Sequence, residues 1–97
     1  MCLKKNIQLS HNSIVINELG MHARPAARIA KMAMTAENDI WLSDGKNRVD
    51  AASVIDILTL CAAKGASIDI QAESCADVRV VEKIKIFFDD GFGELTE

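Results

Sequence analysis

The spacing of apolar residues alternates between strand-like and helical along this chain of 97 residues, and this alternation limits the fold more than any other feature. The first segment of the alternation is the short β-branched run SIVIN at 13–17, which is typical of a strand. Its composition leaves open whether Val15 or the pair Ile14 and Ile16 points into the protein. We therefore predict a first strand whose buried face is undecided.

A helical period follows from His22 to about Thr35. Apolar residues recur there at i, i+3, i+4 and i+7, namely Ala26, Ile29, Ala30 and Ala33. The opposite face carries the basic residues Arg24, Arg28 and Lys31. Pro25 fits the first turn of a helix, because an N–H group at that place has no partner within the helix. The pattern predicts an amphipathic first helix with an apolar side and a basic side.

Asp44 and Gly45 lie between two strand-like runs near 38–43 and 46–51. An Asp-Gly pair favours a two-residue hairpin turn, because both central residues of such a turn need a positive φ. Trp41 alternates with apolar neighbours in the first of these runs, and we expect it to have a packing role. The segment therefore predicts a hairpin of two antiparallel strands.

The residues after the hairpin have the signals of a second helix at 54–63. Ser53 and Asp56 have the serine-x-x-acid spacing of a helix N-terminus, and Gly65 is typical of the residue that follows a helix. The expected inner stripe of this helix is Ile57, Leu60 and Cys61. Val54, Ile55 and Leu58 then remain as outward apolar residues, which is more apolar surface than one buried face requires.

The last part of the chain repeats the alternation. ASIDIQA at 66–72 has the period of a half-buried strand. Ser74 repeats the capping pattern at the start of a last helix, and Gly91 is expected to end that helix. Its apolar stripe is Val80, Val81, Ile84, Phe87 and Phe88.

The predicted element order is β-α-β-β-α-β-α. It favours an α+β open-faced sandwich, in which a four-stranded antiparallel sheet is covered on one face by three helices. The length suits a single domain over 1–97, with about the first 12 residues as a loose N-terminal extension.

Composition and charge exclude several classes of function. A net charge of −3 argues against nucleic-acid binding. The three cysteines are widely spaced, and His11 stands apart from them as a surface histidine before the first strand, so neither a disulfide framework nor a metal site is predicted. No apolar stretch reaches the roughly 18 residues of a membrane span, and no signal peptide is visible. We expect a cytoplasmic monomer.

The stretch GMHARPAAR at 20–28 carries the most chemistry. His22 falls at the start of the first helix, where a neutral imidazole is a nucleophile and the unpaired N–H groups of the helix favour an anion. Arg24 adds a guanidinium that can pair with phosphoryl oxygens. The alternative interpretation is that His22 is a helix-capping residue and Arg24 a solvated charge.

LGMHARPAA at 19–27 resembles the active-site signature of the histidine-containing phosphocarrier family HPr of the sugar phosphotransferase system, and SVIDILTLCAAKGASIDI at 53–70 resembles that family's regulatory-serine helix and following strand. The resemblance implies a phosphoryl carrier, not an enzyme, in which His22 accepts a phosphoryl group on Nδ1 from enzyme I and passes it to an EIIA-type protein. The group derives from phosphoenolpyruvate, and no cofactor is implied. Arg24 would neutralise the phosphoryl group, and the backbone N–H groups of Ala23 and Arg24 would hold its oxygens.

The resemblance also implies a regulatory site and a docking face. Ser53 matches the serine that HPr kinase/phosphorylase modifies in many bacteria, although most serines in such a setting are only N-caps. Asp56 departs from the family pattern, Asp50 lies just upstream, and both carboxylates would repel an added phosphate. The expected docking residues are Met21, Arg28, Lys31, Val54, Ile55 and Leu58. A regulatory binding module that uses the same face without phosphoryl flow is the alternative function.

Overall fold

The computed structural model describes residues 9–94, which form four strands and three α-helices. The sheet has the order β1-β4-β2-β3, and all neighbouring strands are antiparallel. The predicted α+β open-faced sandwich is therefore confirmed. The elements are β1 (Leu9–Ile14), α1 (Ala23–Ala33), β2 (Ile40–Ser43), β3 (Arg48–Asp50), α2 (Val54–Thr59), β4 (Ser67–Ala72) and α3 (Val78–Asp89).

The core lies between the inner face of the sheet and the helices. The apolar side of α1 is buried as its period predicts, from Ala26 to Ala33. The strands contribute alternate residues, because successive side chains of a strand point to opposite faces of a sheet. The large, fully buried side chains of the central strands and of α3 are Ile40, Leu42, Ile68, Ile70, Val81, Ile84 and Phe88.

The first strand begins earlier than predicted. Residues 9–12 belong to β1 and pair with β4, so the expected loose extension is wrong for this part, and residues 1–8 lie outside the described range. His11 lies within β1 and not before it. Polar residues are tolerated here because β1 is an edge strand with one face in water, where the Asn12 amide donates to Asp69 at 2.9 Å.

Val15 is the inward residue of the SIVIN segment. It is fully buried, whereas Ile14 and Ile16 are 41% and 36% exposed. Val15 lies just beyond β1, yet it continues the pairing, since its N–H donates to the carbonyl of Ala66 and its carbonyl accepts from the N–H of Gly65. The question that composition left open is thus settled by the packing against the core.

The second helix ends four residues earlier than predicted. It spans Val54–Thr59, with Leu60 as the C-cap, and Cys61 adopts a left-handed conformation with φ of 51°. The chain turns there because the carbonyl of Ala62 accepts a hydrogen bond from the N–H of Met21 at 2.8 Å. Ile57 and Leu60 are buried as expected, but Cys61 is exposed, so its place in the inner stripe is wrong.

The hairpin turn has Gly45 and Lys46 as its central residues, one position later than predicted. The N–H of Asp44 donates to the carbonyl of Asn47 at 3.1 Å, and the Asp44 carboxylate accepts from two backbone N–H groups of the turn. Trp41 is half-buried on the outer face, where the guanidinium of Arg48 lies 4.3 Å from its ring centroid. The side chain therefore packs, as expected, but against a cation on the open face of the sheet.

Gly20 is required by both conformation and space. Its φ is 70°, and a Cβ atom there would lie 2.7 Å from the carbonyl oxygen of Ala62. Gly45 also has a positive φ, of 96°, but a Cβ there would meet nothing within 4 Å. Both glycines therefore adopt a positive φ that disfavours other residues. Of the two, Gly20 alone also lacks the space for a side chain.

We predict that Gly20→Ala destabilises the protein more than Gly45→Ala. The positive φ should cost each variant about 1 kcal/mol, and forcing the Ala62 backbone away should cost Gly20→Ala a further ~1–3 kcal/mol. Urea unfolding of both variants and the parent measures the difference. Equal losses would show that the close approach of Gly20 to Ala62 does not constrain the fold.

Candidate functional site

His22 is the residue immediately before α1. Its backbone is extended and its carbonyl accepts the first helical hydrogen bond, from Ala26 at 3.0 Å. The side chain makes no capping hydrogen bond and is 32% exposed. His22 is therefore the N-cap residue by position, as the alternative interpretation states, but its side chain does not cap the helix and its ring is accessible.

The first turn of α1 presents donors next to this ring. Ala23 and Arg24 are its first two residues, and N–H groups at those places have no acceptor within the helix. Pro25 follows and is buried, and its missing N–H would also have had no partner there. The Arg24 side chain is 69% exposed. The structure thus brings His22 together with the backbone and the guanidinium that the sequence assigned to anion binding.

Glu94 is a site residue that the sequence reasoning missed. Its Oε2 atom lies 2.7 Å from Nε2 of His22 and 3.1 Å from a terminal nitrogen of Arg24. Its Oε1 atom accepts from the amide of Asn17 at 2.7 Å, and Asn17, which was also missed, is 1% exposed. The carboxylate is thus held by three donors and is only 13% exposed.

The hydrogen bonds set the charge state of this carboxyl group. Partial desolvation raises the pKa of Glu94, but the hydrogen bonds from Asn17, His22 and Arg24 together outweigh it, and the pKa lies below its usual value. Glu94 is therefore an anion at neutral pH, next to the His22 ring.

A short turn after α3 brings Glu94 to this place. Gly91 follows the C-cap of α3 as expected and begins a 3₁₀ turn, Gly91–Gly93, which the sequence reasoning did not predict. Phe92 in this turn has φ of 59°, and its ring packs against Phe87 and Phe88 at centroid distances of 5.2 and 4.9 Å. Two glycines around an aromatic residue after a helix are the signal that could have indicated a chain reversal here.

The expected docking residues do not all lie on one surface. Arg24, Arg28, Lys31 and Val54 line a groove of about 450 Å³ between α1 and the start of α2. Ile55 is 74% exposed, whereas Leu58 is half-buried and packs against the core. Met21 is buried in the core, so its assignment to the docking surface is wrong.

Ser53 is the N-cap of α2. Its hydroxyl accepts a hydrogen bond from the N–H of Asp56 at 3.2 Å, as the serine-x-x-acid pattern predicts. The carboxylate of Asp50 accepts from the N–H of Ala52 at 2.9 Å. The hydroxyl therefore caps the N-terminus of α2. Ser53 is half-buried beside the groove.

Two classes of site are not found in the described part of the chain. Within residues 9–94, no cluster of three or more His, Cys, Asp or Glu side chains could hold a metal ion. Over the same residues, no helix is both long and apolar enough to span a bilayer.

An open-faced sandwich with an accessible histidine at the start of its first helix is the architecture of small phosphocarrier proteins. A family model described as the PTS HPr component phosphorylation site matches residues 9–90. The phosphocarrier protein NPr of Klebsiella oxytoca is 33% identical over 95 residues, which cover 97% of this chain and 99% of that protein. The chain belongs to the HPr family of phosphotransferase-system phosphocarriers, whose members are carriers and not enzymes.

Further similarities cover most of the chain. The phosphocarrier protein HPr of Chlamydia pneumoniae is 33% identical over 88 residues, which are 91% of this chain and 82% of that protein. The crystal structure of HPr-C-His from Thermoanaerobacter tengcongensis has a TM-score of 0.84 and 25% identity, and covers 92% of this chain and 100% of its own. Relatives of both the HPr and the NPr kind are thus similar to this chain.

We predict that the Glu94 contacts stabilise the fold in a pH-dependent way. Because the folded pKa lies below the usual value of 4.5, this stabilisation is complete above that value and is lost as the pH falls through the folded pKa. Urea unfolding between about pH 3 and 6 should therefore show a shallower rise of stability with pH in Glu94→Gln than in the parent. The same slope in both proteins would contradict the assignment of these contacts to a lowered pKa.

Proposed function

We propose that the chain accepts a phosphoryl group on Nδ1 of His22 from phosphorylated enzyme I and passes it to a histidine of an EIIA-type protein. The observation that carries the proposal is the accessible His22 ring, whose hydrogen bond to Glu94 uses Nε2 and leaves Nδ1 for phosphorus. The group originates from phosphoenolpyruvate, and the carrier needs no cofactor of its own. We expect it to act as a cytoplasmic monomer.

The surroundings of His22 suit the phosphorylated state. The phosphoryl oxygens would meet the free N–H groups of Ala23 and Arg24 at the positive end of α1. The guanidinium of Arg24 has five N–H donors, so it can bind a phosphoryl oxygen while one terminal nitrogen contacts Glu94. A phosphoryl group on Nδ1 is thus stabilised without a metal ion.

The groove beside the site suits protein partners with acidic surfaces. Arg28 and Lys31 bring positive charge to its rim, and Val54 and Ala52 contribute apolar surface. Complementary charge accelerates the encounter of two proteins, whereas the apolar patch supplies contact area. We propose that enzyme I and EIIA-type proteins dock here, with the exposed Ile55 at the edge of the contact.

Phosphorylation of His22 is tested directly with phosphoenolpyruvate and enzyme I. We expect one phosphoryl group per chain that is labile in acid and stable in base, and none in His22→Ala. His11→Ala is the matched control, because His11 is the chain's only other histidine and lies in β1. Incorporation that persists in His22→Ala, or none in the parent, would refute the carrier function.

Ser53 is the regulatory part of the proposal. A phosphate on Ser53 would place two negative charges at the edge of the groove, close to Asp56. It would repel acidic partners without unfolding α2, because an anion at a helix N-terminus is favourable. HPr kinase/phosphorylase is the expected class of enzyme for this modification.

The Ser53 switch is tested with Ser53→Asp and Ser53→Ala. Aspartate keeps the cap and adds charge, so we expect parental stability with severalfold weaker binding of enzyme I at low salt and a smaller loss at high salt. Alanine removes the cap and should cost about 1 kcal/mol of stability with little change in binding. Equal binding by Ser53→Asp and the parent would contradict the switch. Binding of regulators without any phosphorylation of His22 would favour the regulatory module instead.

A further inference from the structure

We propose that Glu94 is a positioning residue for phosphoryl transfer: its carboxylate holds the His22 ring in the tautomer that exposes a nucleophilic Nδ1, and it stabilises the charge that the ring gains in the reaction. The inference rests on the proposed carrier function of His22. It assigns a role in that function to a side chain 72 residues away in the sequence.

The contact between Glu94 and His22 determines where the ring proton lies. An ionised carboxylate can only accept hydrogen bonds, so at 2.7 Å from Oε2 the Nε2 atom must be the donor. A neutral imidazole has one proton, and Nδ1 therefore keeps its lone pair. The hydrogen bond thus selects the tautomer in which Nδ1 can attack phosphorus.

The carboxylate is itself held in place from several directions. The amide of Asn17 donates to Oε1 at 2.7 Å and also to the carbonyl of Gly20 at 3.0 Å. Arg24 donates to Oε2 at 3.1 Å. Because Asn17 is almost fully buried, it fixes Glu94 relative to the loop that leads into His22. The acceptor is therefore oriented before any partner binds, which is what a positioning residue requires.

The backbone conformation after α3 places the Glu94 side chain beside His22. A positive φ at a residue such as Phe92 costs free energy, of the order of 1–3 kcal/mol, and persists only when its surroundings impose it. The Phe92 ring is 5% exposed and packs edge-to-face on Phe88, which is fully buried. The core thus holds the turn that places Glu94 beside His22.

The transfer step creates the charge that Glu94 would stabilise. The Nδ1 lone pair forms the new P–N bond while the P–N bond of the donor's phosphohistidine breaks, and that electron pair stays on the donor's ring nitrogen. Nε2 of His22 keeps its proton during the step, so positive charge develops on the imidazole. A carboxylate at the far ring nitrogen stabilises such an imidazolium, as in hydrolase triads. When His22 gives the group away, the electron pair of the P–N bond returns to Nδ1 and the positive charge on the ring is lost.

The first experiment is ¹⁵N NMR of the imidazole at a pH where the ring is neutral. In the parent we expect a protonated Nε2 and an unprotonated Nδ1. In Glu94→Ala we expect the two ¹⁵N shifts to move toward each other, because both tautomers become populated. In Glu94→Gln the amide oxygen can still accept from Nε2, so the parental tautomer should persist without the carboxylate charge. A proton on Nδ1 in the parent would overturn the inference even if no variant folds.

The second experiment is the rate of phosphoryl transfer from phosphorylated enzyme I. We expect Glu94→Ala to be slower by about 10- to 100-fold, by analogy with the loss of a partner that orients a metal-ligating histidine, with Glu94→Gln between it and the parent. Glu18→Ala is the matched control, because Glu18 is an exposed carboxylate near the site that pairs with Lys64. It should transfer at the parental rate.

The outcomes separate the inference from the function on which it rests. Parental rates and parental ¹⁵N shifts in a folded Glu94→Ala would overturn the role of Glu94 and leave the carrier function intact. A parent that accepts no phosphoryl group would refute both. Slower transfer in Glu18→Ala as well as in Glu94→Ala would also contradict the inference, because the effect would then follow general negative charge and not the contact with Nε2.

Discussion

The close contact between the Gly20–Met21 backbone and the segment after α2 is the constraint on which the site depends. The N–H of Met21 bonds to the carbonyl of Ala62, and Val15 pairs with Gly65 and Ala66 in the same region. Val15 thus continues the hydrogen bonding beyond the β1–β4 ladder, and the separate bond of Met21 ties the residue before His22 to the segment after α2. The start of α1 is thereby tied to the segment after α2, and only a glycine at position 20 leaves room for this contact.

The same contact explains which parts of the fold could be predicted. The faces of α1 and β4 follow from periods of 3.6 and 2, because each buries a single side and its polar residues cover the other. The end of α2 could not be predicted from Gly65, since the helix stops at Thr59, well before that glycine, where the backbone bends toward Met21. The burial of Met21 and the exposure of Cys61 follow from this bend. Tertiary hydrogen bonds outweighed a local signal for the end of a helix.

The candidate site also has a part that the sequence could predict and a part that it could not. His22 and Arg24 are neighbours in the sequence, and their chemistry is visible in one short motif. Asn17 and Glu94 are 77 residues apart, and an asparagine in a turn-like segment has nothing local to distinguish it from a turn former. Their contact exists only because α3 ends in a reversal, so the sequence alone could indicate His22 as the proposed nucleophile but not the carboxylate that contacts its ring.

The two halves of the site depend on different parts of the fold. The half that we propose to bind the phosphoryl group consists of backbone N–H groups and Arg24 in one helical turn, and it exists wherever α1 is folded. The half that contacts the ring, with Glu94, depends on the Phe92 ring staying packed on Phe88, and hence on the core of α3. Negative charge on Glu94 would oppose an incoming phosphoryl group, but Arg24 contacts that carboxylate and offsets its charge locally. A carboxylate can therefore stand beside the proposed nucleophile His22 without closing the site to an anion, provided that Arg24 remains to balance it.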